Sequence, residues 1–277
     1  MKRNSRAIAG LAVLLLFTGL TAGAIEPEPP ETAQVPIIMY HSLAGNGKDT
    51  AISGEAFRAD LQYLQESGYE AVSLGALVDF VHHGAPLPEK PVVLTFDDGY
   101  YNNYSVGLPL VKQYHTPIVI SIIGKDTEIW SEISSTDEKN GHLTWAQIRE
   151  MADTGLVEIA NHTWDLHKTE NGRKGVAMKL GENREHYGEM LRADIRRLQE
   201  NLAQHCGLSP IGFTYPFGRV CPAATEELAG MGFTVTLACH DGINILTRGD
   251  GACLYELHRY NRTPERSVQT ILESLPT

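Results

Sequence analysis

The 277-residue sequence has no cysteine before Cys206, no G-x-G-x-x-G or P-loop after any strand-like run, no internal repeat, and few positive charges. Glycine-rich loops are what let backbone N–H groups approach a phosphate, so their absence argues against a nucleotide-binding fold. The cysteines that do occur, Cys206, Cys221, Cys239 and Cys253, match neither zinc-ribbon nor C-x-x-C redox spacing. In an exported chain their even number leads to an expectation of up to two structural disulfides, with the pairing open. Lys and Arg number 23 against 34 Asp and Glu, which argues against nucleic acid or an anionic membrane surface as the main partner.

What is present at the N-terminus is a leader. Lys2, Arg3 and Arg6 precede the apolar run AIAGLAVLLLFTGLTAG, and Ala22-Gly23-Ala24 follows. That layout is a secretory signal peptide over residues 1–24, cleaved after Ala24, so the protein is expected to be exported and periplasmic or secreted, without an integral membrane segment. Cleavage removes three positive charges and no negative ones, which takes the formal charge from −11 to −14. Residues 25–34, IEPEPPETAQ, are too rich in proline and glutamate to build a core and read as a flexible lead-in. One folded domain is expected over residues 35–277.

Within that domain, short apolar β-branched runs alternate with helical periodicity. VPIIMY is followed by a helix that Ser53 can cap, with Phe57, Leu61 and Leu64 on one face. YEAVSL, LGALVDFVHHG, PVVLTF, NYSVGLPLVKQYH, TPIVISIIG, TWAQIREMADTG and LVEIANH continue the alternation, and YGEMLRADIRRLQENLAQHCG, GFTYPFG, TEELAGMG and FTVTLAC complete it. Apolar strands separated by helices imply a parallel sheet covered by helices, and this length favours a (β/α) barrel, regular or irregular, over an open doubly wound sheet. In a barrel, chemistry gathers where the strands end.

The run VVLTF ends in Asp97-Asp98-Gly99, and LVEIAN ends in His162 with His167 five residues on. Asp-Asp-Gly by itself is an ordinary turn. Placed together at ends of separate strands, however, one carboxylate and two imidazoles form a set able to hold a divalent cation with positions left open. Asp98, His162 and His167 are then the ligands, with Asp165 as a supporting group. The adjacent Asp97 points elsewhere and is free to act as a general base toward water.

TFDDG, then NHTWDLH, then TYPFG resemble the ordered motifs of the polysaccharide deacetylases, the NodB-homology or carbohydrate esterase family 4 group. The resemblance runs from VPIIMYHSL to the C-terminus. It implies a distorted (β/α) barrel as a single catalytic domain and metal-dependent removal of N-acetyl groups from N-acetylglucosamine units of a polysaccharide, with one divalent ion, Zn2+ by default and Co2+, Ni2+, Fe2+ or Mn2+ compatible with the same ligands. It also implies Asp97 as base and the Phe217 N–H as an oxyanion donor. Four residues rather than three separate the histidines. That spacing, with PIIMYHSL, is similar to the branch containing the poly-N-acetylglucosamine deacetylases, which points to poly-β-1,6-N-acetylglucosamine. Peptidoglycan, chitin-like or xylan substrates, or non-catalytic glycan binding, are the alternatives.

Two departures accompany the resemblance. Thr214 stands where the family's third motif has arginine, so Arg259, with Arg262 behind it, is the candidate for orienting Asp97. Asp241 is a weak match to the family's fourth-motif aspartate. For the general acid, His41 at a strand end is preferred over His258.

Overall fold

The computed structural model describes residues 31–45, 50–134 and 136–275; the leader expected over residues 1–24 lies outside them. In chain order the elements are β1 (Thr32–Val35), β2 (Ile37–Tyr40), α1 (Gly54–Glu66), β3 (Glu70–Ala71), α2 (Leu74–Val78), β4 (Pro91–Phe96), α3 (Leu108–Tyr114) and β5 (Ile118–Ile122). They continue with α4 (Gly124–Ile133), α5 (Trp145–Asp153), β6 (Val157–Asn161), β7 (Thr169–Glu170), β8 (Arg173–Lys174) and α6 (Arg184–Cys206). The last are β9 (Gly212–Thr214), α7 (Pro222–Gly230), β10 (Val235–Leu237), β11 (Asn244–Thr247), β12 (Tyr260–Asn261) and α8 (Val268–Glu273).

Parallel strands in the order β10-β9-β6-β5-β4-β2-β12 form one curled sheet. Its outermost strands do not pair fully: an isolated bridge, Leu237 to Leu257, spans the gap. The result is an incompletely closed (β/α) barrel: the alternation led to the barrel, and the resemblance to its distortion. β4 and β5 are buried along their whole length, because helices cover one face while the strands curl around the other.

Side-chain alternation explains what the curled sheet encloses. Ile38, Tyr40, Leu94, Phe96 and Ile120 pack outward against Leu61 of α1, Val111 of α3 and Ile148 of α5. Ile37, Val93, Val119 and Ala160 face the other way and pack with Leu74 and Leu77 of α2. Two residues further along the same faces come buried hydroxyls, among them Thr95 and Ser121, and Ser121 Oγ lies 2.6 Å from Thr214 Oγ1. Next on those faces are Asp97 and His162. The interior therefore changes from apolar to polar toward the C-terminal ends of the strands.

Three elements differ from expectation. Thr32–Val35, the end of the supposed lead-in and the first domain residue, is strand β1, paired antiparallel with β11; the proline- and glutamate-rich composition stops at Glu31, and TAQV suits an extended edge. The helix α4 carries little apolar periodicity, with only Gly124 and Thr127 buried. Finally, all four cysteines are free, which corrects the expected disulfides. Their sulfurs lie against different elements: Cys206 against the Trp145 carbonyl, Cys221 against the Tyr187 hydroxyl, Cys239 against Arg259 and Cys253 against Thr247.

Candidate metal centre and the buried carboxylate beside it

Asp98 and Gly99 both adopt positive φ, 70° and 67°. Two left-handed residues in succession turn the chain sharply, so that consecutive aspartates face different surroundings; Asp tolerates this region better than most side chains do. The turn is held by His142, whose Nδ1 lies 2.9 Å from the Asp98 carbonyl, and by Leu143 N–H donating to the Gly99 carbonyl at 2.8 Å. A Cβ at Gly99 would meet Ile122 Cγ2 at 3.0 Å, so the position has little room for a side chain.

The turn directs Asp98 toward both histidines. Asp98 Oδ1 is 3.6 Å from His162 Nε2 and 3.5 Å from His167 Nε2, and the ligand atoms of the three residues lie within 4.8 Å of one another. These separations are long for hydrogen bonds. They are close to those of ligand atoms each about 2.0–2.2 Å from one shared cation, which stand roughly 3–3.6 Å apart.

Protonation states give an independent test of fit. His162 Nδ1 is 2.7 Å from the Thr214 carbonyl, and a carbonyl only accepts, so Nδ1 carries the proton. Burial holds the His162 pKa down to about 4, with the charge of His167 acting in the same direction and the aspartates Asp97 and Asp98 opposing it. The ring is therefore neutral, and its Nε2 lone pair faces a carboxylate oxygen that is itself buried and has no hydrogen-bond partner. Two acceptors facing each other with no donor between them are suited to a cation. The donor set fits a divalent metal. His162→Ala is expected to weaken Zn2+ or Co2+ binding by more than about 100-fold, beyond the 10–100-fold typical of supporting residues, as read by competition with a chromophoric chelator.

Asp97 directly follows β4, continuing its inward face, and is bound differently. Arg259 Nη1 and Nη2 donate to its two carboxylate oxygens at 2.8 Å each. The guanidinium is fully buried and also donates to the Ala238 carbonyl and Thr95 Oγ1. Burial on its own would raise the Asp97 pKa, but the Arg259 charge and its hydrogen bonds outweigh it, and the carboxyl is held well below the usual carboxylate range. Arg259 thus stands beside Asp97, as the missing third-motif arginine required. Arg262 does not back it up: it pairs with Asp60 of α1 through Nε at 2.8 Å.

His41 continues the inward face of β2, and its Nδ1 is buried with no partner. Its charge acts on Asp97, and its carbonyl accepts from Asn103 Nδ2 at 2.9 Å. His258, by contrast, is exposed and packs against Gly242. Asp241 is a surface residue paired with Arg266 at 2.7 Å, and Asp165 pairs with Lys125 and Lys168. The Tyr215 side chain belongs to the core, whereas Phe217 is exposed, with a φ of 57° and its ring 4.4 Å from that of His167. Bonds within its turn run from Gly218 N–H to the Tyr215 carbonyl and from Arg219 N–H to the Pro216 carbonyl, which leaves the Phe217 N–H outside them.

Sequence reasoning did not single out the groups that hold the histidine loop, including the Thr214 carbonyl and Asn161, whose Oδ1 accepts from Thr163 N–H at 2.8 Å. Asn161 immediately before His162 was the one local signal, since Asn side chains commonly bind a nearby backbone amide.

Residues 84–236 match the polysaccharide deacetylase family, and the chain belongs to it. The poly-β-1,6-N-acetyl-D-glucosamine N-deacetylase of Escherichia coli K12 is 30% identical over 227 residues, which are 74% of this chain and 34% of that protein. The chain thus spans about a third of that relative's length. Among solved structures, a de-N-acetylase from Aggregatibacter actinomycetemcomitans is similar at 28% identity and a TM-score of 0.73, covering 88% of this chain and 100% of that one. IcaB from Ammonifex degensii is similar at 27% identity and a TM-score of 0.70, covering 83% of this chain and 92% of that one.

Proposed function

We propose that the chain is a metal-dependent hydrolase that removes N-acetyl groups from N-acetylglucosamine units of an extracellular or cell-wall polysaccharide, with poly-β-1,6-N-acetylglucosamine as the polymer. The observation that carries the reading is the pairing of two environments at one turn: Asp98 facing two imidazoles, and Asp97 held ionised by Arg259. Asp98, His162 and His167 would hold one divalent cation, Zn2+ first, with Co2+, Ni2+, Fe2+ and Mn2+ compatible with the same donors. Such an ion, when bound, polarises an acyl oxygen and makes water available as a nucleophile near neutral pH.

The protein's own groups do the rest. Asp97 accepts the proton of the attacking water; a carboxylate has about four acceptor positions, of which Arg259 occupies two. The Phe217 N–H donates to the acetamide oxygen as negative charge develops there. His41 supplies a proton to the departing amine nitrogen. Arg259 keeps Asp97 charged and fixed in orientation while it works.

Support for the β-1,6 polymer comes from the H-T-x-D-L-H spacing and from the E. coli relative. Support for export comes from the basic, apolar and A-x-A layout of residues 1–24, and periplasmic or secreted location is part of the same reading. Nucleic acid is disfavoured by the acidic charge, and no helix among the described residues is long and apolar enough to cross a membrane.

The test is acetate release after chelation and reloading with single divalent metals, on β-1,6-linked and β-1,4-linked N-acetylglucosamine oligomers side by side. Metal-dependent release from the β-1,6 series is expected. Release confined to the β-1,4 series would move the substrate to peptidoglycan or chitin, and no release from either by metal-loaded protein would overturn N-deacetylation.

A further inference from the structure

The two histidines of the cluster are held in unequal ways. His162 is buried and anchored through Nδ1 to the Thr214 carbonyl. His167 is more exposed and has no comparable hydrogen bond among the described residues; its ring touches those of His162 and Phe217. Where its Nε2 stands therefore depends on the backbone of the loop that carries it.

That loop is gripped from both sides. At the start of α4, Gly124 N–H donates to the Thr163 carbonyl at 3.1 Å and Lys125 N–H to the Trp164 carbonyl at 2.9 Å. From α6, Asp194 places one carboxylate oxygen on each of the next two amides, accepting from Trp164 N–H at 2.8 Å and from Asp165 N–H at 2.9 Å. The Trp164 side chain is buried, with the Arg197 guanidinium 4.0 Å from its ring centre. A Cβ at Gly124 would stand 2.5 Å from Trp164 Cε3. Thr163 sits at a φ of 75°, a conformation that a β-branched residue keeps only when its surroundings impose it.

Asp194 is an expensive residue for mere packing. Burial pushes its carboxyl up to about 6, against the pull of the two N–H donors. An apolar side chain would fill the same space without that cost, but it would leave two loop amides without acceptors.

We propose that Asp194 is a positioning residue for the cation site: by holding the two amides ahead of His167 it sets where His167 Nε2 stands relative to Asp98 and His162. Gly124 assists by leaving room for the Trp164 ring that locks the loop. The inference rests on the metal reading above and extends it to the four-residue spacing between the histidines.

The test compares Asp194→Ala and Asp194→Asn with Leu202→Ala, a core change on the same helix, and with His162→Ala. Binding of Zn2+ and Co2+ is measured by chelator competition, together with the visible spectrum of the Co2+ form and Tm. Asp194→Ala is expected to weaken cation binding by about 10–100-fold and to shift the Co2+ bands. Asp194→Asn, which keeps one acceptor oxygen and remains informative should the alanine variant fail to fold, is expected between it and wild type. Leu202→Ala is expected to lower Tm with the dissociation constant unchanged. Wild-type affinity and spectrum in the folded Asp194 variants would overturn the inference alone, as would an equal loss of affinity in Leu202→Ala. A wild-type protein that takes up no cation would overturn the metal reading, and this inference with it.

Discussion

Asp97→Asn is expected to lower kcat by about 10²–10⁴-fold, the contribution typical of a positioned general base, while cation uptake stays at wild-type level. The substitution keeps the size and planarity of the side chain and leaves Asp98, His162 and His167 untouched. It removes the carboxylate that Arg259 holds beside the three candidate ligands. Loss of turnover with retained metal would separate the base from the ligands, which His162→Ala cannot do. The replacement also takes the charge partner from buried Arg259, so Tm is expected to fall, and rates should be measured at a temperature where the variant is folded. A variant with wild-type kcat on β-1,6-linked oligomers would remove Asp97 from the base role.

How far the sequence led can be judged residue by residue. The Asp97-Asp98 turn was legible because VVLTF is apolar on both faces, so a pair of carboxylates at its end had to lie at the mouth of the sheet. His162 was legible for the same reason. His167 was read from its position five residues on, in a loop able to double back, and the family resemblance added to that reading; spacing alone does not say where such a loop puts the second imidazole. Arg259 lies 162 residues from its partner; only the absence of arginine at Thr214, read against the family, pointed toward it. Asp194 gave no signal, because a carboxylate in a long helix reads as solvent-facing until the loop above it is seen. Helix α4 was missed for want of an apolar stripe, and strand β1 because the proline- and glutamate-rich composition before it was extended three residues too far. The disulfide expectation came from compartment and parity alone, and neither carries information about where four sulfurs stand.

Arg259→Met is expected to cost about 3–5 kcal/mol of folding stability, the usual result of leaving one member of a buried ion pair behind. Arg259 is fully buried and joins Asp97 just after β4 to the Ala238 carbonyl just after β10. It therefore connects strands on opposite sides of the gap that the Leu237–Leu257 bridge and the Arg259 N–H bond to the His240 carbonyl also span. Loss of the guanidinium leaves Asp97 desolvated and uncompensated. The Arg259→Met/Asp97→Asn pair should then be much less destabilised than the sum of the single changes, because the second substitution removes the charge that the first one stranded. Arg259→Lys is expected to recover little, since an ammonium cannot reproduce the paired donation to both oxygens together with the bond to Ala238. Denaturant unfolding of the four variants measures the coupling, and steady-state kinetics on Arg259→Lys separates orientation from charge. A fall in kcat with KM unchanged is the mark of a base that remains charged but has lost its alignment. Strictly additive stabilities would show that the two side chains are not coupled in folding, and an Arg259→Lys enzyme with wild-type kcat would show that the guanidinium fork does not align Asp97.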